Sequence, residues 1–261
     1  MFVRIGRNFS QSITDIADSL AFLGQAFAAA VWTLFHPHRF RFGDCALAFQ
    51  RAAAGGLPIS IGIGFLLGLI LAFQSAAALK MFGVEVYVAD MLAIGLFREL
   101  GPLVTAIILA GRSGSAFAAE IGTMKVDEEL DALSTMGLDP VRFLVMPRVI
   151  AATLAMPVLT IFGELAGLLG GALVLRLMNI PGIVYWSHVV STSGIFMIVF
   201  GLAKSCLFGF LIALIGCCAG MQTKSTADGV GLAATQAVVG GIIAIAMSDG
   251  VLAVLCYVWG L

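Results

Sequence analysis

Arg98 and Glu99 stand side by side in an otherwise apolar stretch. Ionisable side chains at membrane depth are costly and mark substrate paths, proton relays or ordering pairs. Adjacent residues on a helix point about 100° apart. The two therefore either pair imperfectly or reach different partners, and in both cases they face a bundle interior or a wet cavity. Gly101-Pro102 follows and predicts a helix kinked or broken just after the pair. Gln74, Glu164, Lys204 and Asp249 are the other polar residues at depth. Lys204 and Asp249 have opposite charge and fall on different predicted spans, which suits an interhelical pair. Glu164 is expected high enough to be solvated. Two readings of Arg98-Glu99 stay open: the wall of a substrate cavity, or an ion pair that orders the bundle.

Composition supplies the membrane. The 261 residues are 61% hydrophobic and 11% charged, with mean hydropathy +1.07. Soluble domains carry roughly 25% charged residues. The expected fold class is an all-α integral membrane protein, an interfacial amphipathic helix followed by five spans at ~20 residues each. The spans are predicted at 57–79, 91–111, 149–175, 195–219 and 235–259. A net charge of −1 gives no case for nucleic-acid binding. Cys45, Cys206, Cys217, Cys218 and Cys256 lack zinc or CxxC spacing and read as small packing residues, so no metal is expected.

Residues 1–56 form the first unit. Apolar side chains recur every three or four residues from Phe9 to Leu34, with Asp15 and Asp18 off the stripe, predicting a helix in the interface plane. A sixth span beginning near Leu20 is the alternative. Arg4 and Arg7 precede polar interruptions, so no signal peptide is expected. His36, His38, Arg39, Arg41 and Arg51 form a basic connection, with Pro37 breaking the helix. Residues 57–261 form the permease unit. Arg4, Arg7, Arg39, Arg41, Arg51, Arg112, Lys125, Arg142, Arg148 and Lys224 fall on one side, and only Lys80 and Arg176 on the other. That asymmetry places the N-terminus in the cytoplasm and the C-terminus outside. Gly64/Gly68, Gly163/Gly167, Gly167/Gly171 and Gly216/Gly220 are small-xxx-small pairs that let helices approach closely, within one subunit or across a dimer.

The segment 113–140 between the second and third spans predicts short helices joined by a turn. Phe117, Ile121, Met124, Leu130 and Leu133 make an apolar stripe, Glu120, Asp127, Glu128, Glu129 and Asp131 an acidic face, and Gly137 with Asp139-Pro140 a stop. A long loop among short ones suits a docked partner, against the plainer reading of a solvated surface helix. G-x-x-x-x-G-K-[ST] is absent, so ATP-driven work needs a separate ATPase. Gly111-Arg112-Ser113-Gly114 matches the GxSG string of rhomboid proteases. Such a serine needs a histidine in reach, and His188 is expected roughly 30 Å away across the hydrocarbon. No catalytic residue is therefore assigned. A proton-coupled secondary transporter using Arg98, Glu99, Lys204 and Asp249 is the stronger rival, although no inverted repeat is evident.

Phe97-Arg-Glu-Leu-Gly-Pro102, Ala110-Gly-Arg-Ser-Gly-Ser115, Ala119-Glu-Ile-Gly-Thr-Met124 and Met136-Gly-Leu-Asp-Pro140 through Pro147-Arg148 strongly resemble the MlaE (YrbE-like) permease family over essentially the whole chain. The resemblance implies the membrane subunit of an MCE-associated ABC transporter in a bacterial inner membrane, moving phospholipid between inner and outer membranes and so maintaining outer-membrane lipid asymmetry. It implies a homodimer, two cytoplasmic ATPase subunits that bind the ATP, a periplasmic MCE-domain protein and often a small STAS-domain protein. It implies no cofactor of the chain's own. It assigns Gln74, Arg98, Glu99 and Asp249 to a lipid cavity at the dimer centre. It marks Lys204 as a further family position. It assigns the coupling contact to Glu120–Leu138, with Glu120, Met124, Leu130 and Leu133 as its residues.

Overall fold

The computed structural model of the chain describes residues 22, 24, 25, 28, 29, 41–224 and 226–259. Five helices are long and apolar enough to cross a membrane: α1 (Phe42–Lys80), α2 (Glu85–Val126), α4 (Val141–Leu177), α6 (Ile195–Met221) and α7 (Ala227–Val258). Two shorter ones, α3 (Glu129–Thr135) and α5 (Gly182–Thr192), fill connections. Among the described residues there is no strand. The chain is an all-α, multi-pass membrane protein. The interfacial helix expected over 9–35, with its sixth-span alternative, lies outside the described residues apart from five helical positions.

The helices are longer than the apolar runs expected from hydropathy, and charged residues near their ends are paired. Asp44 in the first turn of α1 meets Arg41 at 2.8 Å. Glu120 meets Arg148 at 3.1 Å, joining α2 to α4. Here α1 runs unbroken through residue 57, α2 continues to Val126, and α4 begins at Val141.

Close packing comes from glycine. The most extensive helix contact is α1 on α4. There Gly64 lies on the Gly163 backbone, Gly68 on that of Gly167, and Gly170 on the Phe65 carbonyl. On α6, a Cβ at Gly216 would stand 2.6 Å from the Gly114 carbonyl oxygen. One at Gly220 would stand 2.9 Å from that of Ala118. These pairs therefore serve packing within one subunit. Lipid offers no hydrophobic drive between helices, so van der Waals fit of this kind carries the association.

The winding of α2 is interrupted twice by π turns, at Gly95–Leu100 and Ala110–Gly114. A third π turn opens α4 at Val141–Val145. Single π turns inside α-helices are rare and gather at functional sites. The change of winding expected just after Arg98-Glu99 instead includes them, and it ends at Leu100, before Gly101-Pro102. The Gly101 N–H already donates to the Leu96 carbonyl, five residues back. Pro102 then enters at the start of a fresh α-segment, where a missing N–H costs little.

Outside the spans, α5 lies against the bundle through Tyr185. Its ring is buried and its hydroxyl donates to the Leu168 carbonyl at 2.7 Å. Burial holds that hydroxyl well above the usual tyrosine range, so it stays protonated and donating. Tyr185→Phe leaves the Leu168 carbonyl without this donor. The expected loss is about 1 kcal/mol, read as a lower thermal midpoint of the solubilised protein.

Candidate functional site

Lys204 is the centre of the polar interior. Its side chain is 0% exposed. The ammonium Nζ lies 2.5 Å from Glu99 Oε2 of α2 and 2.5 Å from Asp249 Oδ1 of α7. The Glu99 contact is a well-formed hydrogen bond. The Asp249 contact is a close charge pair without hydrogen-bond alignment. The interhelical pair expected between Lys204 and Asp249 is present. Arg98 Nε stands 3.9 Å from Glu99 Oε1, the imperfect neighbour pairing that a 100° separation allows. Two cations and two anions thus alternate across three spans.

Local backbone explains why Lys204 sits there. Pro102 has no N–H, so the π turn and proline together leave a carbonyl of the preceding turn without its helical donor. The Arg98 carbonyl accepts from Lys204 Nζ at 3.4 Å. Gly201, one turn earlier on α6, lies against the Phe97 carbonyl and allows α6 to approach the irregular turn. By helix rise, the cluster is about 20 Å from the Glu85 end of α2 and about 15 Å from the last residues of α7. Glu99 is 36% exposed at its side chain and Asp249 19%. The cluster therefore opens at the surface of the protomer while its lysine stays sealed, as charges facing a cavity or a partner would.

The remaining expected site residues are distributed differently. Gln74 is exposed on α1, and no hydrogen bond or ion pair joins it to the cluster. Glu164 is not solvated: it is 3% exposed, packed against Gly101, where a Cβ would stand 2.6 Å from its Oε1. It lies on the inward face of α4, which hydropathy does not resolve. Glu120, its side chain 42% exposed, faces Arg148 and Arg51, the latter at 3.7 Å. Leu130 is buried, and Met124 and Leu133 pack against the same core. The exposed part of the connection is Asp127, Glu128, Glu129, Asp131 and the turn around Gly137. Glu128 has φ +60° and Gly137 φ +76°, the two left-handed residues that bracket α3.

Ser113 is buried toward the Val126 end of α2. His188 lies at the Glu85 end, with Nδ1 3.1 Å from Asp90. Positions 90 and 113 are about 35 Å apart along one helix, which removes His188 as a base for that serine. The Asp90 carboxylate also accepts from Thr192 Oγ1 at 2.6 Å. This Asp90–His188–Thr192 link between α2 and α5 escaped sequence reasoning. The only cue was one acidic and one basic side chain at opposite ends of unrelated segments. Among the described residues no three His, Cys, Asp or Glu side chains gather as a metal site requires.

These features define a multi-span permease body with a charged centre and no nucleotide-binding signature in its sequence. Comparison with known families gives the class its name: residues 46–255 match the model of the MlaE permease. The chain is 40% identical over 194 residues to a probable ABC transporter permease protein of Rickettsia typhi, covering 74% of this chain and 75% of the relative. It is 37% identical over 250 residues to a probable ABC transporter permease protein of Rickettsia bellii, covering 95% and 96%. It is 34% identical over 196 residues to the intermembrane phospholipid transport system permease protein MlaE of Haemophilus influenzae, covering 74% and 75%. The chain belongs to the MlaE permease family, the membrane-subunit class of ABC transporters.

Proposed function

We propose that this chain is the permease of an ABC transporter that moves phospholipid between the inner and outer membranes of a Gram-negative envelope, maintaining outer-membrane lipid asymmetry. The name of the Haemophilus influenzae relative supports the substrate. The observation that carries the reading is the Lys204-centred cluster, half open on the protomer surface at membrane depth. A second copy facing that surface would close it into a cavity. Apolar walls would hold acyl chains, and Arg98, Glu99 and Asp249 would engage a headgroup, with Gln74 at the rim. Lys204 fixes Glu99 and Asp249, and Arg98 beside them would meet a phosphate.

The chain works in the inner membrane as a homodimer with its N-terminus in the cytoplasm, an orientation that follows from the charge asymmetry. Two ATPase subunits bind ATP and dock on the connection from Asp127 to Pro140. A periplasmic MCE-domain protein receives or delivers lipid at the outer face, and a small STAS-domain protein sits with the ATPases. ATPase closure would move α3. Met124, Leu130 and Leu133 couple it to the core, and the Glu120–Arg148 pair couples α2 to α4, so the motion reaches the cavity.

Reversing exposed charge while sparing the packed leucine tests the docking. Glu129→Lys with Asp131→Lys is expected to lower ATPase co-purification about tenfold, on the scale of mismatched interface charges. The permease itself should elute unchanged in size. Undiminished co-purification would remove α3 from the interface.

A further inference from the structure

A second polar feature lies toward the Val126 end of α2, about 20 Å along that helix from Glu99. There α1, α2 and the start of α4 surround a cavity of ≈ 390 Å³, within the range of small-molecule sites. Three guanidinium groups line it, those of Arg51, Arg112 and Arg148, together with apolar walls that include Leu47 and Phe117.

The charges do not cancel. Arg148 is held by Glu120 Oε2 through Nε at 3.3 Å and Nη2 at 3.1 Å. Its Nη1 donates to the Leu144 carbonyl at 2.9 Å. Arg51 touches the same carboxylate only loosely, at 3.7 Å, and its side chain is 66% exposed. Arg112 Nη1 donates to the Arg51 carbonyl at 3.1 Å. Gly55 leaves room for that guanidinium to lie over α1. Among the described residues no carboxylate pairs with Arg112. The remaining acid of the lining, Asp44, is engaged by Arg41. Three guanidiniums therefore face one shared carboxylate, which touches two of them.

Depth then selects the ligand. Arg51 and Lys80 are 29 residues apart on one helix, about 43 Å. Arg112 and Glu85 on α2 are 27 apart, about 40 Å. Both spacings match a bilayer measured from headgroups to headgroups. The cavity mouth is thus at headgroup level, where forked guanidinium donors match phosphate oxygens and basic pockets between spans take anionic lipid headgroups.

We propose that this cavity binds the phosphate of an anionic phospholipid from the leaflet at the inner ends of the spans. The inference rests on the five-span arrangement and not on the transport reading, so either can fail alone.

The test uses the full chain in nanodiscs of equal phosphatidylglycerol and phosphatidylcholine. A photo-crosslinking phenylalanine replaces Leu47 in the cavity or, as a control, Leu66 on the exposed face of α1. Adducts are weighed by mass spectrometry. At position 47 phosphatidylglycerol adducts should exceed phosphatidylcholine adducts about tenfold, the scale of two interfacial arginines. At position 66 the two should be equal. Arg51→Gln with Arg112→Gln should abolish the preference at 47 and leave the adducts at 66 unchanged, the latter reporting an intact fold. Glu120→Gln, which removes the competing carboxylate, should raise the phosphatidylglycerol yield. Equal headgroups at 47 in the unaltered cavity, a preference that survives the double substitution, or a yield that falls with Glu120→Gln would each overturn the proposal. Loss of the adduct on adding inorganic phosphate would overturn the lipid source and leave a soluble-anion site.

Discussion

Lys204→Met is expected to abolish transport and to cost on the order of 3–5 kcal/mol of stability, the usual consequence of removing one partner from a buried charge group. The ammonium is fully enclosed and, among the described residues, is the only cation within 2.5 Å of both carboxylates. Without it, Glu99 and Asp249 face each other across a low-dielectric interior, and the Arg98 carbonyl loses its donor. The two losses separate in the triple variant Lys204→Met, Glu99→Gln, Asp249→Asn. That variant removes the uncompensated charge, so unfolding in detergent should return toward the starting midpoint while lipid transport stays absent. Normal transport by the stabilised triple variant would reduce the cluster to an ordering device. Charge reversal at Glu99 with unchanged transport would say the same of that residue.

Gly68→Ala is expected to destabilise the protein by about 1–3 kcal/mol, although it adds a single methyl group. That methyl would drive into the Gly167 carbonyl on α4, and backbone cannot move aside as a side chain can. Gly62→Ala on the same helix is the control. Nothing lies within 4 Å of a Cβ there, and alanine is the better helix former, so stability should hold or rise. Parallel unfolding curves in a fixed detergent distinguish them. Equal midpoints for both variants would refute the α1–α4 glycine seam as a stabilising contact.

Much of this architecture is written in local pattern. Five apolar runs gave five spans, because the lack of water in a bilayer forces each run into a helix. Gly64, Gly68, Gly163 and Gly167 announced close packing by spacing, and Lys204 and Asp249 announced a pair by sign. What the chain concealed depends on which faces meet. Glu120 gave no sign of its Arg148 partner, which is 28 residues away. Glu164 looked solvated because nothing in its neighbourhood reveals the Gly101 contact on α2. The three π turns left no trace in hydropathy, since one added residue per turn alters hydrogen bonding but not composition. The cluster on Arg51, Arg112 and Arg148 was read as orienting charge only; its concavity needs three helices in register.

Lys204, Glu99 and Asp249 would also suit a proton relay in a secondary transporter. The choice lies with the partners. The most direct measurement is affinity purification of the tagged protein in mild detergent, with mass spectrometry of the proteins and lipids recovered. The account predicts an ATPase, an MCE-domain protein and enriched phospholipid in the same fraction. A lone homodimer with no ATPase and no enriched lipid would contradict it and return the buried charges to proton coupling.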